Sequence, residues 1–188
     1  MKKTALSKAL LVGASLLPAS AMAHTGHEVS GLMAGLTHPL LGLDHLLAML
    51  AVGIWAAKMG GNARWQLPVT FVGMMLLAAV VAAAGVQFPF VEAGISASVI
   101  IAGLLVAFSA RFSTPVSSLL VAAMAIFHGA AHGAELPSGA LLSTYLLGFS
   151  VATMALHLAG IGLILKVKAF RAEIAGGLIA LTGVVLAV

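Results

Sequence analysis

The segment Leu67–Val86 runs LPVTFVGMMLLAAVVAAAGV without one charged side chain. A bilayer core about 30 Å thick takes about 20 helical residues, and this stretch is long enough to cross it. It is not alone. Comparable stretches cover Ser30–Ala57, Ala93–Ala110, Val116–Gly133, Ser138–Leu165 and Ala172–Val188, separated by short polar punctuation. Overall 62% of residues are hydrophobic and 7% charged, where a soluble domain carries about 25% charged residues. A soluble fold would leave large apolar patches exposed, so lipid must serve as part of the solvent. Outer-membrane strands alternate apolar and polar residues over about 10 positions; these runs do not alternate. The expectation is an all-α polytopic membrane protein with six transmembrane helices and no soluble domain. Ser30–Ala57 and Ser138–Leu165 are overlong, so each is tilted, broken or extended. Pro39 and Gly42 suggest a break early in the first.

The formal net charge of +4 is concentrated at the start, where Lys2, Lys3 and Lys8 precede the short apolar run Ala9–Leu17, Pro18 and Ala21-Met22-Ala23. A charged start, a short apolar middle and an A-x-A end are the parts of a secretory signal peptide. Cleavage after Ala23 is expected, with a transport domain over residues 24–188. Without the three leader lysines, six basic residues face five acidic ones. The basic balance is then a targeting signal, and nucleic acid is not implied as a partner. Six crossings from an external start place both mature termini outside. Lys58, Arg64, Arg111, Lys166, Lys168 and Arg171 then all fall on cytoplasmic loops, as positive residues should. Glu28, Glu92 and Glu135 fall on the outer side, and an acidic outer face suits cation entry.

Cysteine is absent, so thiolate metal sites and disulfides are excluded. Two polar motifs interrupt the apolar stretches. The first span holds His38, Asp44 and His45. An Asp at mid-membrane costs roughly 2.5–3.5 kcal/mol on insertion scales and signals function. On a regular helix His38 and His45 lie two turns apart on one face, with Asp44 about 100° around. A kink at Pro39 could gather all three. The fourth span ends in His128, His132 and Glu135, one stripe of a helix at i, i+4 and i+7. Two imidazoles at i, i+4 can ligate one ion. By depth, His38 should face His132 or Glu135, and Asp44 with His45 should face His128, with Glu92 at the outer mouth. His157 in the fifth span is either a further ligand or a structural partner. Met49 and Met124 read as packing. His24 and His27 are either a metal-capture site or a plain tail.

These residues carry a resemblance. His38-Pro39-Leu40-Leu41-Gly42-Leu43-Asp44-His45 and Phe127-His128-Gly129-Ala130-Ala131-His132-Gly133-Ala134-Glu135 resemble the two signatures of the HupE/UreJ family of nickel/cobalt permeases, with no departure from either. The resemblance implies uptake of Ni²⁺, or Co²⁺, across the inner membrane to supply hydrogenase or urease, with the metal as cargo and no prosthetic group. Imidazole and carboxylate donors without thiolate suit the same ions. The rival reading is an intramembrane metal-dependent hydrolase with a fixed His/Asp site, but no H-E-x-x-H is present.

Overall fold

The computed structural model describes residues 31–167 and 170–188. The expected leader over residues 1–23, together with His24, His27, Glu28 and Lys168, lies outside the described residues. Seven helices follow in order: α1 (Gly31–Leu41), α2 (Leu43–Met59), α3 (Ala63–Ala83), α4 (Val91–Ala107), α5 (Thr114–Ala134), α6 (Leu142–Lys166) and α7 (Ala172–Leu186). Among the described residues there is no strand.

The first apolar stretch is broken where expected. Gly42 is extended between α1 and α2 (φ −85°, ψ 116°), and the two helices meet at a bend of 80°. Pro39 inside α1 supplies no N–H to the helix, and glycine is a poor helix former. By length and composition three helices can cross a membrane, Ala63–Ala83, Thr114–Ala134 and Leu142–Lys166, or four if the bent pair counts as one span. The helices at the other two stretches are shorter, 17 residues over Val91–Ala107 and 15 over Ala172–Leu186. The chain turns early around the first of these: Phe90 caps its start and Ser109 follows its end, both with positive φ (58° and 50°).

α2 is the axis of the bundle. From Ala51 to Ala57 every residue is buried, and a helix apolar on all sides belongs inside a bundle. It packs against α3, α4, α6 and α7. The outer surface carries Leu77, Leu119, Leu147, Leu158 and Leu181, side chains suited to lipid. Small residues set the helix spacing, as expected between membrane helices. Gly129 and Gly133 of α5 lie against the backbone carbonyls of Met75 and Ala79 on α3. Gly103 and Gly176 bring α4 onto α7 in the same way.

The two ends of the bundle differ in chemistry. At one end Lys58 pairs with Glu173, which also accepts from the Ser109 hydroxyl at 3.1 Å. The Trp55 indole N–H donates to the Ala110 carbonyl at 2.8 Å. At the other end the two histidine motifs meet.

Gly103→Val should therefore destabilise the bundle. The added side chain meets the Ala180 backbone, and overpacking of this kind costs about 1–3 kcal/mol. Gly73 faces open space, so Gly73→Ala should leave the thermal midpoint in detergent unchanged or slightly higher. Equal midpoints for Gly103→Val and the parent would contradict this packing.

Candidate metal site

The bend at Gly42 builds the site. On a straight helix His38 and His45 would stand about 10 Å apart along the axis. With α1 folded back, their ring centroids are 5.9 Å apart. A Cβ at position 42 would come within 2.8 Å of Asp44 Oδ1 and 3.3 Å of His45 Nδ1. A glycine here leaves room for that pair.

Asp44 sits in the first turn of α2, where backbone N–H groups are free and a negative charge is favoured. Its Oδ1 accepts from the His45 backbone N–H at 2.7 Å and from His45 Nδ1–H at 2.8 Å. The carboxylate thus fixes the His45 tautomer and leaves a lone pair on Nε2. Asp44 serves its neighbour, and it is also within electrostatic reach of His128, the partner that depth suggested. Because α2 begins at Leu43, the Asp44 side chain lies in its first turn, where it reaches the free backbone N–H of His45.

α5 brings the second motif alongside. His132 lies 4.8 Å from both His38 and His45, and His45 lies 4.7 Å from His128, centroid to centroid. One ligand atom from each of His38, His45 and His132 falls within 4.8 Å of the others. Donors about 2.1 Å from a shared ion stand about 3–3.5 Å apart, so the widest pair needs to close by about 1.5 Å. His132 is stacked on Phe149 at 4.4 Å, and Tyr145 lies 6.5 Å away. His38 Nε2 reaches Glu135 Oε2 at 3.0 Å. That hydrogen bond holds the Glu135 carboxyl below the usual carboxylate range, against partial burial, which pushes it up.

Exposure falls steadily along this line. The side chains of Glu135 and His38 are 52% and 33% exposed, whereas His128 and His132 are at 0%. A cavity of about 240 Å³ opens at the wet end, lined by His38, Asp44, His45, Glu92 and Glu135 among others. Glu92, in the first turn of α4, is exposed at this mouth.

Ser98 is a partner that the motifs did not reveal. Its hydroxyl donates to the Ile95 carbonyl at 2.7 Å and stands 2.7 Å from His128 Nε2. Having one hydrogen, it must accept from His128, so Nε2 is protonated and Nδ1 holds the lone pair. The available signal was a pair of serines, Ser96 and Ser98, within a largely apolar span. Phe71 was likewise unmarked; its ring lies 5.6 Å from His128 and 5.1 Å from His157. Met49 and Met124 are buried.

Buried nitrogens at His45 Nε2, His128 Nδ1 and both positions of His132 have no hydrogen-bond partner among the described residues. An unpaired buried polar atom costs about 1–3 kcal/mol, so a group of them needs a reason. Of these residues, His45 and His132 each offer one ligand atom to the cluster with His38, where a cation can be taken.

The chain matches the protein family described as HupE / UreJ protein over residues 11–186. It is 44% identical over 181 residues to Protein HupE of Rhizobium leguminosarum bv. viciae, covering 94% of this chain and 95% of that one. No solved structure matches.

The His38–Glu135 bond can be tested directly. In His38→Ala the Glu135 carboxyl should titrate higher than in the parent, measured by carboxyl carbon NMR of labelled glutamate. An unchanged titration would show that the contact does not persist in solution.

Proposed function

Because the chain belongs to the HupE/UreJ family, we propose that it is a permease carrying Ni²⁺, or Co²⁺, inward across the bacterial inner membrane. The observation that carries this reading is His132, fully buried between His38 and His45 with neither ring nitrogen paired among the described residues. In this reading all six apolar stretches cross the membrane after removal of residues 1–23, and both mature termini face the periplasm. The metal is cargo for a hydrogenase or urease; no prosthetic group is needed.

The residues take distinct parts. Glu92 and Glu135 raise the local concentration of cations at the mouth. His24 and His27 capture metal ahead of it. His38, His45 and His132 replace the ion's water, and His128 receives it one rung further in. Asp44 keeps the His45 lone pair available and offsets the ion's charge. Imidazole and carboxylate donors suit Ni²⁺ and Co²⁺. A divalent ion entering down a potential of 100 mV, inside negative, gains about 4.6 kcal/mol, so uptake does not require ATP.

A metal-dependent hydrolase is less well supported. It needs a base free to activate a metal-bound water. Of the three carboxylates lining the cavity, Asp44 is bonded to His45 and Glu135 to His38, which leaves the exposed Glu92 alone to act as a base.

Uptake of ⁶³Ni in cells lacking other nickel importers tests the proposal. Asp44→Asn should lower uptake by at least about 10-fold, the usual cost of losing a ligand's orienting carboxylate. His132→Ala should abolish it, with both variants at normal membrane levels. Normal uptake by either variant would refute this site.

A further inference from the structure

His157 stands apart from the two motifs. It lies on α6, has 0% exposure, and was open between ligand and structural partner on sequence grounds. Its Nδ1 is 2.8 Å from the Met49 carbonyl. A carbonyl only accepts, so Nδ1 carries the hydrogen and the Nε2 lone pair is free. Nε2 is buried and has no partner among the described residues. A purely structural imidazole would need only the Nδ1–H bond, and would leave an unpaired buried acceptor at a cost to the fold.

Position supplies the second argument. Met49 follows His45 by one helical turn, so its carbonyl lies about 6 Å further in. The Phe71 ring contacts both His128 (5.6 Å) and His157 (5.1 Å), with its edge or tilted face to each. His128 and His157 are within electrostatic reach of one another. Around His157 the bundle is not wholly apolar. Thr153, one turn before it on α6, stands with its hydroxyl 3.9 Å from the Met75 thioether, and both are fully buried. Beyond this point the way is shut. Gly53 lies against the His157 carbonyl and Gly160 against the Leu50 carbonyl, so α2 and α6 are in backbone contact.

We propose that His157 is an inner transit site for the same divalent ion, held through Nε2 after it leaves His45 and His128 past the Phe71 ring. This rests on the permease reading. The ion sought is borderline-soft, one that accepts imidazole and tolerates a thioether nearby. His157 is the last imidazole before the closed half of the bundle, the point at which an inward-moving ion waits for α2 and α6 to part.

Two variants of the full chain test this. In His157→Asn the amide N–H can still donate to the Met49 carbonyl, but the Nε2 donor is gone. Purified protein should bind its first equivalent of Ni²⁺ as the parent does, while uptake into proteoliposomes falls at least about 10-fold. Parental uptake overturns the proposal; so does loss of first-equivalent binding, which would make His157 part of the outer site or of the fold. In His157→Cys the thiol is the sole cysteine of the chain. Titration with Co²⁺ should raise a thiolate-to-cobalt charge-transfer band, and its absence means that the ion does not reach position 157. If the parent protein neither binds nor transports nickel, the permease reading falls first and this inference with it.

Discussion

Imidazole nitrogens without partners, buried inside an apolar bundle, are the constraint around which the protein is arranged. Among the described residues five such nitrogens are buried, on His45, His128, His132 and His157. In hydrocarbon there is no water to satisfy them. Each ring is nevertheless held in place by other groups. Asp44 orients His45, Ser98 orients His128, the Met49 carbonyl orients His157, and Phe149 stacks on His132. In the first three cases the orienting bond takes the N–H and leaves the lone pair inside. Supporting groups of this kind are what tune metal-binding histidines.

The fold serves that arrangement. α2 is buried on all sides near its middle, so its N-terminal turn can carry Asp44 and His45 to the inner wall of the cavity at the imidazole-lined end. The 80° bend at Gly42 returns α1 toward α5 and brings His38 onto His132. Gly129 and Gly133 seat α5 against α3, which turns His128 and His132 to the interior. The ion pair of Lys58 with Glu173 closes the opposite end. One end is thus open, acidic and imidazole-lined, while the other is cross-linked and tight.

Much of this was legible in the sequence. The apolar stretches announced a helical membrane protein, and each coincides with a helix or helix pair. The i, i+4 spacing put His128 and His132 on one stripe, and Pro39 with Gly42 marked the break. The size of the bend was not legible, because it depends on packing between α1 and α6. For that reason regular-helix geometry overstated the distance between His38 and His45, and it did not show that the Asp44 carboxylate bonds His45. Ser98 and Phe71 lie outside any motif. Only the fold brings α3 and α4 to the histidines, so spacing along the chain carries no trace of them. The stretches Ala93–Ala110 and Ala172–Val188 are themselves short, and α4 and α7 follow them to within a few residues.

The central claim is that these buried lone pairs hold a metal ion. X-ray absorption at the nickel edge, on purified protein loaded with less than one equivalent of Ni²⁺, tests it most directly. The account predicts a first shell of nitrogen and oxygen donors with the multiple-scattering pattern of more than one imidazole. A spectrum matching hydrated nickel, without imidazole scattering, would contradict it.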